Sequence, residues 1–138
     1  MRNKNIAITG ATGFLGKKLT LNLCNNGFNI RGLSRSKGKS FKQNSVSWFY
    51  GELDDKEIIN SFLNDCDTVI HVAGLTKAKR PNDFYKVNRD LTKGFIEICK
   101  EKKIKRFIYI SSLAAKEPSI SHYSSSKKQA EDLLNYYK

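Results

Sequence analysis

The sequence alternates short runs of β-branched residues with longer amphipathic stretches from one end to the other. Five of the short runs have the length and apolar content of strands that are buried on both faces of a sheet. Strands that alternate with helices in this way form parallel sheets, because each helix carries the chain back to the edge where the next strand starts. The alternation therefore predicts parallel strands over residues 5–9, 29–33, 46–50, 68–72 and 106–110.

The stretches between the strands have the period of helices. In the first of them Leu15, Leu19 and Leu23 share one face, which is expected to pack against the sheet. The remaining stretches are longer than strands and repeat apolar residues at three- and four-residue intervals. Helices are predicted over residues 15–25, 55–63, 84–102 and from about 121 onward.

Helix ends and one loop are also marked in the sequence. Gly27 stands where a left-handed residue ends a helix, and Asp54 and Ser121 are predicted to cap the starts of two helices. Residues 32–45, with their serines, lysines and glycines, are predicted to form a mobile surface loop.

These elements predict an α/β fold, a doubly wound parallel sheet of about five strands with helices on both faces. A chain of 138 residues has the length of one domain, so residues 1–138 are expected to form a single domain. The last helical pattern stops at residue 138 without a glycine or proline exit signal, and doubly wound sheets usually carry a sixth strand. We therefore expect this chain to be the N-terminal part of a longer protein.

Composition indicates which kinds of partner and which cellular compartment to expect for this protein. The 25 basic and 13 acidic residues give a net charge of +12, which favours an anionic ligand. The lysines are scattered, so no nucleic-acid partner is expected. No apolar run approaches the ~20 residues of a membrane span, and the apolar run near the N-terminus is too short and glycine-broken for a signal peptide, so we expect a cytoplasmic protein without membrane contact. The three cysteines are far apart, which predicts free thiols and no metal site.

A glycine-rich segment directly follows the first predicted strand and opens the first helix. Its spacing is G-x-x-G-x-x-G over Gly10, Gly13 and Gly16. Such a turn lets backbone N–H groups and the helix N-terminus approach a pyrophosphate, so it predicts a dinucleotide cofactor. The turn residues expected to bind it are Gly10, Thr12, Gly13, Phe14, Leu15 and Gly16.

The end of the second strand distinguishes the two nicotinamide cofactors. An acidic residue there would bind the ribose 2′-hydroxyl of NAD, but the sequence has Ser34 followed by Arg35. A guanidinium pairs well with a 2′-phosphate. The sequence therefore favours NADP, with NAD as the alternative.

A tyrosine and a lysine near the end of the sequence suggest proton transfer. Tyr123 and Lys127 are four residues apart, which places them on one face of a helix. A free tyrosine has a pKa near ~10, so a phenolate at neutral pH requires a shift of ~3 units, or about 4 kcal/mol. An ammonium ~4 Å away supplies about that much at an effective dielectric of ~20. Ser111 and Ser112 follow the fifth strand, at the sheet edge where ligands of such folds bind.

Together these motifs resemble the nucleotide-binding portion of an extended short-chain dehydrogenase/reductase of the NAD(P)-dependent epimerase/dehydratase type, whose fold is Rossmann-like. The resemblance covers nearly the whole chain. It rests on six motifs in order, which are Gly10 to Gly16, Gly51 to Asp54, His71 to Gly74, Val87-Asn88, Ser111-Ser112, and Tyr123 with Lys127.

The resemblance implies roles for individual residues. Tyr123 would be the catalytic acid/base, Lys127 would bind the nicotinamide ribose and stabilise the phenolate, and Ser112 would hold the reacting oxygen. Asn88 would support the sheet and the active site. The remaining cofactor contacts would be Glu52 and Leu53 near the adenine, and Val72, Ala73 and Gly74 on the ribose side.

Some positions depart from the family pattern. Glu52 stands where an aspartate is more common, and Arg89-Asp90 replaces a segment in which a glycine is common. Ser112 is followed by Leu113-Ala114-Ala115 rather than Val-Tyr-Gly, which weakens the nucleotide-sugar interpretation. Either Ser111 or Ser112 could be the catalytic hydroxyl. The family places its substrate domain largely after the tyrosine–lysine helix, so we expect that domain to be absent from these 138 residues.

The leading hypothesis is an NAD(P)-dependent oxidoreductase that transfers a hydride between a small-molecule carbonyl or alcohol and the nicotinamide. The alternatives are a nucleotide-sugar epimerase or dehydratase with bound NAD, and a non-catalytic dinucleotide-binding module. A homodimer is compatible with the resemblance.

Overall fold

A computed structural model describes residues 5–137 and contains one parallel sheet. The strands are β1 (Asn5–Thr9), β2 (Asn29–Ser34), β3 (Val46–Tyr50), β4 (Thr68–His71) and β5 (Arg106–Tyr109). Their order in the sheet is β3-β2-β1-β4-β5. The chain moves outward from β1 to β3 and then returns to the other side of β1, so the direction of winding switches between β1 and β4. The predicted Rossmann-like α/β fold is confirmed.

The helices follow the predicted order with shifted ends. They are α1 (Phe14–Asn25), α2 (Lys56–Phe62), α3 (Pro81–Tyr85), α4 (Thr92–Glu101) and α5 (His122–Tyr136). A single π-helical turn, Lys86–Leu91, joins α3 to α4, so the helix predicted over 84–102 is observed with this turn inside it. Short 3-10 turns occupy Lys37–Lys39 and Leu113–Lys116.

The chain divides into two compact units, with one boundary inside α4. The first, here called the sheet unit, comprises the residues up to Ala73 together with Cys99–Ile110, and it contains all five strands with α1 and α2. The second, here called the helical unit, comprises Gly74–Ile98 and the residues from Ser111 onward, and it contains α3, the π-helical turn and α5.

The core of the sheet unit is built from the central strands and α1. Ile6, Ile8, Ala11, Ile30 and Ile70 are buried together, and Leu19 and Leu23 of α1 pack against them. Leu15 is 48 % exposed, so the prediction that it shares the buried face is wrong. In the first turn of α1 the buried position belongs to Gly16, because there the helix backbone itself approaches the turn that follows β1.

The two edge strands differ from the prediction of burial on both faces. β3 and β5 are only partly buried, whereas β1 and β4 are nearly fully buried. An edge strand is flanked on one side only, so less of its surface is covered than in the centre of the sheet.

The predicted helix ends are confirmed at two positions and corrected at one. Gly27 has φ +81° after α1, and the hydroxyl of Ser121 accepts the Ser124 N–H at the start of α5. The cap of α2 is Asp55 instead of Asp54, because the helix starts at Lys56 and the Asp55 carboxylate reaches the Ile58 N–H at 3.2 Å.

The loop predicted over residues 32–45 starts later than expected. Gly32 to Ser34 continue β2, because the chain stays paired with β3 as far as Tyr50. The rest of the loop is attached to β3 by Trp48, whose indole N–H donates to the Phe41 carbonyl at 2.9 Å and whose ring meets the Phe41 ring edge-on.

Candidate functional site

The glycine-rich turn of the sheet unit requires glycine at two positions. Gly10 has φ +66°, and a Cβ there would lie 2.7 Å from the backbone nitrogen of Ala73. A Cβ on Gly16 would lie 2.0 Å from the Gly10 carbonyl oxygen. Gly13 has an ordinary extended backbone with φ −74° and precedes the first residue of α1. The first and third glycines therefore allow the close approach of β1, α1 and the segment after β4.

The N-terminus of α1 can accept an anion. This helix has 12 residues, no capping side chain and no acidic residue in its first turn. The first N–H groups of a helix lack intrahelical acceptors, and the helix dipole is positive there. Phe14 is 97 % exposed, and its side chain does not cover the core. The turn therefore fits the diphosphate of a dinucleotide.

A buried histidine joins the carboxyl ends of β1 and β4 beside this turn. His71 is fully buried, and its Nδ1 lies 2.6 Å from the hydroxyl oxygen of Thr9. The same oxygen accepts the Ala73 N–H at 3.2 Å, and the Thr9 carbonyl accepts the Val72 N–H at 3.3 Å. Sequence reasoning gave His71 no role of its own. The signal for it was a polar residue at the end of a buried strand.

The two residues predicted to select the cofactor differ in burial and in whether their side chains already have hydrogen-bond partners. Ser34 is buried, and its hydroxyl donates to the Ser36 carbonyl at 2.9 Å and accepts the Ser36 N–H at 3.3 Å. Arg35 is exposed and has no hydrogen-bond or ion-pair partner among residues 5–137. Ser34 thus shapes the turn, while the Arg35 guanidinium is available to an anion.

In the helical unit, α5 carries Tyr123 and Lys127 one turn apart. Tyr123 is half-buried, and its ring meets Phe84 edge-on at 6.1 Å. Lys127 is buried, and this burial lowers its pKa to about 8, while the charge of Glu131 acts in the opposite direction. At neutral pH the side chain therefore still carries its proton.

Asn88 lies in the π-helical turn and connects two parts of the helical unit. Its Oδ1 accepts the Leu75 N–H at 2.7 Å, and its Nδ2 donates to the Leu75 carbonyl and to the Ser126 hydroxyl, each at 3.0 Å. Ser126 in turn donates to the Tyr123 carbonyl at 2.8 Å. Single π-helical turns are frequent at functional sites. Ser126 was missed by sequence reasoning because its contact with Asn88 spans 38 residues.

Gly74 packs beside the same groups. A Cβ on Gly74 would lie 3.3 Å from Asn88 Oδ1 and 3.8 Å from Lys127 Nζ. The first of these distances is shorter than ordinary van der Waals contact, so a larger residue would press on the Asn88 amide. The backbone after β4 therefore runs close to both Asn88 and the lysine.

The two serines after β5 have different hydrogen-bond partners. The Ser111 hydroxyl donates to Glu131 Oε1 at 2.5 Å. The Ser112 hydroxyl oxygen accepts the Ala114 N–H at 3.2 Å, which leaves its hydrogen available to another acceptor. This difference favours Ser112 as the hydroxyl that can donate to a substrate oxygen.

The predicted residues are thus distributed over the two units. Those in the sheet unit are Gly10, Thr12, Gly13, Phe14, Leu15, Gly16, Ser34, Arg35, Glu52, Leu53, Val72 and Ala73. Those in the helical unit are Gly74, Ser112, Tyr123 and Lys127. In the sheet unit Glu52 is exposed and Leu53 is buried.

The described part of the chain shows neither a metal-binding cluster nor a membrane-spanning helix. Within residues 5–137, no three His, Cys, Asp or Glu side chains are grouped so that they could hold a metal ion. None of the helices described is both long and apolar enough to cross a bilayer.

Comparison with known proteins places these features in a family. The sequence profile of the NAD dependent epimerase/dehydratase family matches residues 6–138. A ceramide reductase of Caulobacter vibrioides is 38 % identical over 131 residues, covering 94 % of this chain and 41 % of the relative. A UDP-N-acetylglucosamine 4,6-dehydratase (inverting) of Campylobacter jejuni is 32 % identical, covering 95 % of this chain and 42 % of the relative. The chain thus spans about two fifths of the length of these relatives.

A solved structure has the same fold. The UDP-glucuronic acid 4-epimerase of Bacillus cereus, crystallised in complex with NAD, superimposes with a TM-score of 0.84 at 22 % identity. The match covers 96 % of this chain and 52 % of the epimerase chain.

Proposed function

Because the chain belongs to the NAD dependent epimerase/dehydratase family, we propose that it forms the cofactor-binding part of an NAD(P)-linked oxidoreductase that interconverts a carbonyl and an alcohol. The observation that carries this proposal is the buried Lys127, which lies one turn from Tyr123. Burying an ammonium is costly, and a purely structural position would be filled at lower cost by an apolar residue.

In this proposal the residues of the helical unit handle the proton. Tyr123 gives its hydroxyl proton to the carbonyl oxygen during reduction and removes it from the alcohol during oxidation. The Lys127 ammonium stabilises the phenolate that Tyr123 becomes, and Ser112 donates a hydrogen bond to the reacting oxygen. When bound, the nicotinamide cofactor supplies or accepts the hydride.

The cofactor would be held mainly by backbone groups. The uncapped N-terminus of α1 and the glycine-rich turn would bind the diphosphate, and Val72 to Gly74 would line the ribose. Glu52 and Leu53 would lie near the adenine. Arg35, exposed and without a partner in the described chain, would pair with a 2′-phosphate, so we propose NADP as the preferred cofactor and NAD as the alternative.

The substrate proposed here is apolar. Leu113 follows Ser112 directly and is 79 % exposed. Ile120 precedes Tyr123 by three residues and is 71 % exposed. Exposed apolar side chains next to polar reactive groups suit a substrate that has a hydrocarbon chain beside its carbonyl. The relative named ceramide reductase acts on a lipid, which supports the same class.

The test is turnover of NADPH and NADH by the full-length protein with ketones of increasing chain length. We expect consumption of NADPH, with kcat/KM rising as the chain lengthens. Tyr123→Phe should lower kcat by at least about 100-fold and leave cofactor affinity intact. Tyr136→Phe, on the exposed face of the same helix, is the matched control and should retain activity. Turnover by Tyr123→Phe at the rate of the unchanged protein would exclude the proposed role.

A second candidate is a nucleotide-sugar epimerase or dehydratase with tightly bound NAD. It is favoured by the 32 % identity to the Campylobacter jejuni dehydratase. Such an enzyme returns the hydride within each turnover, so its product would form without net oxidation or reduction of added cofactor. Product formation at constant NADPH and NADH concentrations would therefore support this candidate over the oxidoreductase.

A further inference from the structure

Glu131 lies one helical turn beyond Lys127 and two turns beyond Tyr123 on α5. The four-residue spacing places the three side chains along one face of the helix. Glu131 is half-buried, and its Oε1 accepts the hydrogen bond from Ser111 at 2.5 Å. Ser111, the second residue after β5, therefore anchors the Glu131 carboxylate on the lysine face of α5.

Lys127 is the group that this charge affects. Its side chain is buried, and the electrostatic effect of Glu131 partly offsets the effect of burial on its pKa. A nearby opposite charge favours the protonated form of a buried cation.

The other charged groups near α5 have different positions or partners. Of the elements packed against α5, α3 carries Asp83, which pairs with Arg80 at 3.2 Å. In the π-helical turn Asp90 pairs with Arg89, whose guanidinium also donates to Gln129. The remaining charged or titratable side chains of these elements include Lys86 of the π-helical turn, Lys116 of the 3-10 turn and, on α5 itself, the Lys128–Asp132 pair and His122, all of them at or near the surface.

We propose that Glu131, anchored by Ser111, is the counter-charge that keeps the Lys127 ammonium protonated at neutral pH, and is thereby a positioning residue for proton transfer by Tyr123. The catalytic part of this statement rests on the proposed function, whereas the effect on Lys127 does not. In this proposal the two serines after β5 have separate tasks, because Ser111 holds the Glu131 carboxylate and Ser112 faces the substrate oxygen.

The test is an NMR pH titration of the protein labelled with ¹³C at the lysine ε carbons. The Lys127 signal is identified by its absence in Lys127→Arg. Glu131→Gln should lower the apparent pKa of Lys127 by on the order of one unit, because an opposite charge one turn away is lost. Ser111→Ala should shift it in the same direction by less. Asp132→Asn, which removes a neighbouring exposed carboxylate, should leave it unchanged.

Glu131→Asp keeps the negative charge, so the pKa of Lys127 in this variant should stay close to that of the unchanged protein. This variant separates an electrostatic role from a packing role, and it remains informative if Glu131→Gln fails to fold. An unchanged Lys127 titration in Glu131→Gln, or an equal shift in Asp132→Asn, would overturn the proposal. A lowered Lys127 pKa in Glu131→Gln, combined with full turnover by Tyr123→Phe, would leave the counter-charge in place and reject the proposed function instead.

Discussion

The side-chain amide of Asn88 pairs with the backbone of Leu75 as a neighbouring strand would. It accepts the Leu75 N–H at 2.7 Å and donates to the Leu75 carbonyl at 3.0 Å. Both polar groups of that peptide segment are therefore satisfied by one side chain, which is itself buried. The π-helical turn aims Asn88 at Leu75, so the irregular helix and the chain after β4 depend on each other.

Replacing Asn88 by Asp should test this dependence. The carboxylate cannot donate, so the Leu75 carbonyl and the Ser126 hydroxyl would each lose a partner in a buried place. We expect the free energy of unfolding to fall by about 2–3 kcal/mol. Urea unfolding followed by circular dichroism measures the change, and Asn135→Asp on the exposed side of α5 is the control. Equal losses in both variants would contradict the assigned role.

Two glycines that lie in helices should respond to substitution in opposite ways. Gly16→Ala places a methyl group 2.0 Å from a backbone oxygen, so it should destabilise the fold by on the order of 3 kcal/mol or more and abolish cofactor binding. Gly94 in α4 has nothing within 4 Å of an added Cβ, so Gly94→Ala should stabilise the protein by about 0.5–1 kcal/mol. Thermal unfolding and calorimetric titration with NADPH compare the two. Wild-type stability in Gly16→Ala would refute the close approach.

The buried lysine should make stability depend on pH. Burial lowers the pKa of Lys127 to about 8, whereas an unfolded lysine titrates near ~10.4. Between these values the unfolded chain binds a proton that the folded chain has released. The free energy of unfolding should therefore rise as the pH is raised through this window and fall as the pH is lowered to 8.

Lys127→Met, which fills a similar volume without charge, should therefore be more stable than the unchanged protein at pH 7 by on the order of 2–3 kcal/mol. The gain should shrink as pH approaches 10.5. Urea unfolding at several pH values gives both curves. A difference that stays constant from pH 7 to 10.5 would mean that the buried charge is not its cause.

Cofactor choice should depend on Arg35. Arg35→Ala should weaken NADPH binding by about 1–3 kcal/mol and leave NADH binding nearly unchanged, because only NADPH carries the 2′-phosphate. Lys39→Ala, another exposed cation in the same loop, is the control. Calorimetric titration measures all four combinations. Equal weakening of both cofactors in Arg35→Ala would mean that the guanidinium does not read the phosphate.

Several features could be predicted because they depend on neighbouring residues alone. The βα alternation specified five parallel strands, and the prediction for β3 is matched residue for residue. The turn glycines follow from backbone geometry within seven residues, and the shared face of Tyr123 and Lys127 follows from the helical period. Errors occurred where a side chain's surroundings mattered, as at Leu15, which has helical spacing but lies at the exposed start of α1.

The sequence by itself determined the fold class, the glycine-rich turn, and the residues that can carry charge and protons. Only the tertiary structure decided how those residues are used. The contacts Thr9–His71, Asn88–Ser126 and Ser111–Glu131 join residues 62, 38 and 20 positions apart. No local pattern encodes such pairs, because a hydroxyl or carboxylate finds its partner only after the sheet order and helix packing have placed distant segments side by side.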